Sequence, residues 1–91
     1  MNISGQKTVT TAGSAEALGS QSIQAPLIVK ALPTNTSPVY LGNVAGDVSA
    51  SNGLALDPGE AVVLEWVSSL AALWLDAAVS GEGVSWLILS A

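Results

Sequence analysis

The sequence predicts an all-β domain, a small antiparallel β-sandwich or jelly-roll-like barrel of about seven to eight short strands. Nine glycines and four prolines divide the chain into short apolar segments. These segments recur at roughly the 8 to 12 residue spacing that is typical of small sandwiches and barrels. With 91 residues the chain can build one thin core, so residues 1–91 are expected to form a single domain.

Seven segments are predicted to be strands, because each is apolar or alternating and is bounded by turn-forming residues. They are residues 7–11, 23–32, 39–42, 54–56, 61–67, 73–79 and 84–89. Residues 33–38 contain two prolines and cannot sustain a ladder or a helix. Residues 57–60 (DPGE) place proline and glycine as a type II turn requires, and residues 80–83 fit a hairpin loop between the last two strands.

Residues 57–80 also fit a helix. Asp57 would cap it, Pro58 would open it, and Glu60 would complete a capping box. The β-branched and aromatic residues at 62–67 and the serine pair at 68–69 favour instead two strands joined near Ser68 to Ala72.

Composition argues against an enzyme. The chain has no histidine, cysteine or arginine, and only 10% of its residues are charged, whereas 49% are apolar. The side chains that usually perform acid–base, nucleophilic and transition-metal chemistry are therefore nearly all missing. We expect no catalysis and no cofactor, and a structural role in which the protein presents apolar surface to a partner.

Charge and hydropathy exclude two further partners. Seven acidic residues against two lysines give a net charge of -5, which repels phosphate backbones, so nucleic acid is not an expected partner. The longest apolar run, residues 70–75, is far shorter than the roughly 20 residues of a membrane span. Residues 1–13 lack the apolar run of a signal peptide, so synthesis in the cytoplasm is expected.

Six of the seven acidic residues are candidates for a carboxylate pair or a calcium site, but nothing in the sequence brings them together, and no run has the loop spacing of a calcium site. We interpret them as solvated acids, several of them in turns. They are Asp47, Asp57, Glu60, Glu65, Asp76 and Glu82.

The tryptophans Trp66, Trp74 and Trp86 are candidate partner-binding residues. We expect them to pack in the core or in a subunit interface; a carbohydrate platform is the alternative. Strand alternation places Trp66 with Val62 and Leu64, opposite Val63 and Val67, and it places Trp86 and Ile88 opposite Leu87 and Leu89. Both faces of these strands are apolar, which predicts a second buried surface beyond the core.

The N-terminal residues 1–5 form the other candidate surface. They are polar, and no strong sequence pattern ties them to the core. This fits either a frayed terminus or an arm that adds to the edge of a partner's sheet. The candidate partner-binding residues here are Asn2, Ile3, Ser4 and Gln6.

Several phrases resemble a family of small tailed-bacteriophage virion proteins. They are VTTAG (9–13) followed by Ala17-Leu18, IVKALPTNT (28–36), VYLG (39–42), SNGLALDPGE (51–60) and DAAVSGEGVSW (76–86). The resemblance implies a jelly-roll β-sandwich and a virion component such as a head decoration (cement) protein, without catalytic residues.

The implied partner is the major capsid protein of a tailed phage, and the implied location is the capsid surface of the virion. Self-association or symmetric clustering on the capsid is also expected. A neck, tail or baseplate component and a carbohydrate- or receptor-binding module are the alternatives.

Overall fold

A computed structural model describes residues 4–44, 48 and 52–89, and over these residues the chain is all-β. Eight strands form two four-stranded antiparallel sheets, and a turn of 3₁₀ helix, Leu70–Ala72, joins the sixth strand to the seventh. The strands are β1 (Ser4–Thr8), β2 (Glu16–Ala17), β3 (Ser22–Ala31), β4 (Val39–Gly42), β5 (Leu54–Leu56), β6 (Ala61–Ser69), β7 (Trp74–Ala77) and β8 (Gly83–Ile88).

The strand order is β1-β8-β3-β6 in one sheet, here sheet I, and β2-β7-β4-β5 in the other, sheet II. The first strand pairs with the last, the second with the seventh, the third with the sixth and the fourth with the fifth. This nested series of antiparallel pairs, rolled into two sheets, is the arrangement of a jelly roll. The predicted small antiparallel β-sandwich is therefore confirmed.

The core lies between the two sheets and follows the alternation of the strands. In β3 every second residue from Leu27 to Ala31 is buried, and Leu75 and Ala77 of β7 contribute from sheet II. Burial of an aliphatic side chain contributes about 1.5–3 kcal/mol, so this layer is the main source of stability. The largest fully buried side chains are Leu27, Leu75, Val9, Val29, Val39 and Val84.

Strand β6 bulges where it faces Pro26 of β3. Proline has no N–H to donate to a ladder, and two residues of β6, Glu65 and Trp66, lie opposite it. The extra residue shifts the alternation, so Val67 returns to the inner side with Leu64. The expectation that Leu64 and Val67 lie on opposite faces is therefore wrong.

Residues 57–80 form strands and not a helix, as the β-branched content favoured. Gly59 has a φ of +84°, and the N–H of Glu60 donates to the carbonyl of Asp57 at 2.9 Å, as in a type II turn. The predicted hairpin at 80–83 is wrong, because β7 belongs to sheet II and β8 to sheet I. That loop crosses between the sheets. The two-residue strand β2 was not predicted, since it is too short to show a pattern.

The first strand begins earlier than predicted. Ser4 and Gly5 belong to β1 and pair with Leu87 and Trp86 of β8, so the expected arm cannot include them. A Cβ atom on Gly5 would lie 2.8 Å from Cζ2 of Trp86, so the glycine makes room for the indole. Asn2 and Ile3, the other arm candidates, lie outside the described residues.

Candidate interaction surface

The loops β1–β2, β3–β4, β5–β6 and β7–β8 meet at one end of the sandwich, here the polar end, where carboxylates bind the backbone. Glu82 accepts hydrogen bonds from the N–H of Thr36 at 2.7 Å, from its hydroxyl at 2.8 Å, and from the N–H of Ser37 at 3.3 Å. The backbone N–H of Thr36 is the main cause that lowers the pKa of Glu82 below its ordinary value. The β7–β8 loop is thus tied to the β3–β4 loop.

Glu16 has the same role in the β1–β2 loop. Its carboxylate accepts from the N–H of Thr10 at 2.6 Å and from Nζ of Lys7 at 3.0 Å. The backbone N–H of Thr10, followed by the Lys7 ammonium, lowers the pKa of Glu16. Asp76 is buried and accepts from the N–H of Gly13 at 3.0 Å. These acids therefore hold loops in place.

The remaining described acids do not assemble a chemical site. The Oε1 atom of Glu60 accepts from the N–H of Asp57 at 2.8 Å, within the turn before β6, and Glu65 is exposed on β6. Within residues 4–44, 48 and 52–89 no three acidic side chains come together as metal ligands would. Asp47 lies outside those ranges.

The three tryptophans lie in three different environments. Trp86 is 8% exposed and packs in the core beneath Gly5, which is one of the two expected environments and leaves little of its side chain for a partner to contact. Trp74 is half-buried on the outer face of sheet II, between Ala17 and Gly42. Trp66 is 64% exposed at the bulge of the edge strand β6. They do not form one continuous aromatic platform.

The outer face of sheet I is largely apolar. Leu87, Ile28 and Val63 are cross-strand partners on β8, β3 and β6, and cross-strand partners share a face. Leu87 is 41% exposed and Val63 is 54% exposed, and Leu89, on the same side just after β8, is 48% exposed. The prediction of apolar residues on both faces of β8 is confirmed.

The candidate residues of β1 border this face. Ser4 pairs with Leu87 and is exposed, and Gln6 is exposed two residues further on. The next cross-strand row is polar and includes Ser85 and Lys30. The apolar surface therefore occupies the half of sheet I that is distant from the polar end.

A groove opens beside Trp66, here the β6 groove, with a volume of about 320 Å³. Strand β6 forms one wall, and the β6–β7 connection and the residue after β4 form the rest. The residues that line it are Asn43, Leu64, Trp66, Val67, Ser68, Ala72 and Leu73. None of them is charged. The alternation of apolar residues in the sequence does not predict this groove. The available signal was Pro26 inside a predicted strand, because proline within a strand indicates a bulge.

No helix in the described part of the chain is long and apolar enough to span a bilayer. No protein-family model, curated protein or solved structure gives a significant match to this chain. The surfaces described above are therefore the features that bear on function.

Proposed function

We propose that the protein is a non-enzymatic structural protein of a tailed-phage virion, a head decoration (cement) protein that docks on the major capsid protein. The observation that carries the proposal is the apolar outer face of sheet I, with Leu87, Val63 and Leu89 each between 41% and 54% exposed. Contiguous exposed apolar surface marks interaction sites in soluble proteins. The resemblance of the sequence to small phage virion proteins, and the use of jelly rolls in viral capsid proteins, support the same assignment.

The carboxylates support a structural role over an enzymatic one. Glu16, Asp76 and Glu82 each accept hydrogen bonds from loop backbone N–H groups. Such carboxylates are engaged in holding the loops and are not free acids facing a cleft. The polar end therefore provides a rigid support, and the apolar face provides the contact.

The mechanism is mass-action stabilisation. A protein that binds only the assembled, expanded lattice shifts the equilibrium away from disassembly by RT ln(1 + [L]/Kd). Clustering of copies around symmetry axes adds effective concentration without any new contact. The virion is then the location of the protein, and self-association or clustering takes place on the capsid surface.

The test is cosedimentation with expanded empty heads, with unexpanded proheads and with purified tails of the phage that encodes the chain. We expect binding to expanded heads. The variant Leu87→Lys should weaken it at least about tenfold, because docking would bury an unpaired ammonium where a leucine was, at a cost of more than about 1.4 kcal/mol.

Leu54→Lys is the matched control, since Leu54 is 51% exposed but lies on β5 of sheet II. It should bind heads like the unaltered protein. Binding to tails alone would assign the protein to the neck, tail or baseplate, and retention on a glycan array without head binding would make it a carbohydrate- or receptor-binding module. Equal binding by both variants would reject sheet I as the docking face.

A further inference from the structure

Strand β6 is the long open edge of the sandwich. It spans nine residues at the end of sheet I, and no described strand pairs with its outer side. The edge strands of sheet II are only two and three residues long. Natural proteins protect long edges with lysine, proline or a bulge. In β6 there is neither lysine nor proline, and the bulge at Glu65 and Trp66 divides the edge instead of covering it.

The β6 groove lies directly beside this edge and shares residues with it. Leu64, Trp66 and Val67 belong to β6 and also line the groove. Its volume of about 320 Å³ is at the lower limit of small-molecule pockets, which suits one or two side chains. The indole of Trp66 is 64% exposed and is free to cover an inserted side chain.

We propose that this edge and groove capture an extended segment of a partner protein by strand addition. The segment pairs through its backbone with β6 and inserts an apolar side chain into the groove beside Trp66. A lysine or arginine of the segment, close to that apolar residue, faces the exposed carboxylate of Glu65. In strand addition the main-chain hydrogen bonds provide affinity and the pocket provides specificity. The inference goes beyond the proposed function and does not require the partner to be a capsid protein.

Charge favours a segment that is neutral or basic. The chain carries a net charge of -5, and Glu65 is the charged residue of β6. Opposite charges directly across a strand pair contribute roughly 0.2–1 kcal/mol, and like charges there are destabilising. An acidic segment is therefore disfavoured, whereas a cationic side chain across from Glu65 is favoured.

A second copy of the chain fits this edge less well. Nine residues at about 3.3 Å each make an edge about 30 Å long, and with a width of about 10 Å the contact covers roughly 300 Å². A stable protein–protein interface buries about 800 Å² per partner. Two copies would also bring two bulged edges and two chains of the same net charge together. A short neutral or basic segment brings neither a second bulged edge nor a second chain of the same net charge.

The probe is a set of capped octapeptides in which threonine and valine alternate and one position is lysine. In each peptide a position close to the lysine holds one apolar residue, which is leucine, isoleucine, phenylalanine or tryptophan. Binding is followed by fluorescence quenching, since Trp66 is the most exposed of the three indoles, and by amide hydrogen exchange of β6. We expect at least one peptide to bind saturably, to protect Trp66 from acrylamide and to slow exchange in β6.

Three comparisons test the elements of the proposal separately. Trp66→Ala should weaken binding at least tenfold, whereas Trp74→Phe, on the other sheet, should leave it unchanged. Replacing the peptide lysine by glutamate should weaken binding about threefold or more. N-methylation of alternate peptide amides should abolish it, because backbone pairing is then blocked.

The proposal is overturned if no peptide binds up to millimolar concentration, or if the N-methylated peptide binds as well as its parent. It is also overturned if sedimentation shows a dimer whose formation slows amide exchange along β6, since a second copy would then occupy the edge. Peptide binding is measured without capsids, and Leu87→Lys should retain it. A failure here is thereby distinguished from a failure of the proposed function.

Discussion

The side chain of Asn35 completes the hydrogen-bond ladder between β3 and β8, and removing that side chain should lower the free energy of unfolding. The residue is 7% exposed in the β3–β4 loop. Its Nδ2 donates to the carbonyl of Gly83 at 2.8 Å, and its Oδ1 accepts from the N–H of Gly83 at 3.2 Å. The carbonyl of Leu32, which the ladder would otherwise offer to Gly83, accepts from the N–H of Asn35. The carboxamide thus replaces a peptide group of the neighbouring strand.

The loss of stability caused by Asn35→Ala follows from the hydrogen bonds that remain in the variant. The carbonyl of Gly83 keeps the N–H of Leu32 at 3.0 Å, so only one net hydrogen bond is lost there, worth about 0.5–1.5 kcal/mol. The buried N–H of Gly83 loses its acceptor, which costs about 1–3 kcal/mol. The sum is about 1.5–4.5 kcal/mol. A chain of 91 residues has a total stability of about 5–14 kcal/mol.

Thermal and urea unfolding, followed by tryptophan fluorescence, measure this loss. The midpoint should fall by about 6–36 °C, since each kcal/mol corresponds to about 4–8 °C in a domain of this size. Asn43→Ala is the control: Asn43 is exposed beyond β4, so its stability should change by less than about 0.5 kcal/mol. If Asn35→Ala also changes the free energy of unfolding by less than that, the carboxamide does not complete the ladder.

Two further predictions concern the polar end and the first strand. Because the pKa of Glu82 is lowered in the folded state, chiefly by the N–H of Thr36, its contribution is present above the unfolded-state pKa and is lost as the pH falls through the folded-state pKa. Glu82→Gln should therefore reduce the loss of stability between neutral and acidic pH, and an unchanged pH dependence in acid unfolding would contradict this. Deletion of Met1 to Gly5 should lower the thermal midpoint and shift the emission of Trp86 to longer wavelength, because β1 loses two paired residues. Deletion of residues 1–3 alone is its control, and equal midpoints for the two truncations would show that Ser4 and Gly5 contribute nothing.

Local signals in the sequence predicted most strands, because turn chemistry and alternation act over a few residues. The turn at Asp57 to Glu60 and the strand after it depend on proline, glycine and β-branched residues in fixed order, and the structure has both. Strand β3 was expected at 23–32 and spans Ser22–Ala31. The alternation of Leu87 and Ile88 likewise predicted that they lie on opposite faces, and in the structure Ile88 is buried and Leu87 is exposed.

The sequence could not reveal which strands share a sheet, since pairing depends on contacts between distant residues. A glycine-rich loop looks the same whether it closes a hairpin or crosses between sheets, so the loop before β8 was misassigned. Trp66 and Trp86 both occur in alternating strands, yet one is 64% and the other 8% exposed. The difference arises from Pro26 of β3, opposite which β6 bulges at Trp66, and from the missing side chain of Gly5 of β1, which makes room for Trp86.

The uneven distribution of charge explains how a chain with a net charge of -5 can have a proposed docking face that is nearly free of acids. Glu16, Asp76 and Glu82 bind loop N–H groups at the polar end, so their charges lie away from the apolar half of sheet I. The apolar side chains that the thin core does not bury project from that half, and Glu65 lies at its edge. A partner that covers this face therefore gains from the burial of apolar area, at about 25 cal/mol per Å², and does not have to desolvate a cluster of carboxylates. The acids that make nucleic acid an unexpected partner thus do not stand in the way of the proposed protein docking through sheet I.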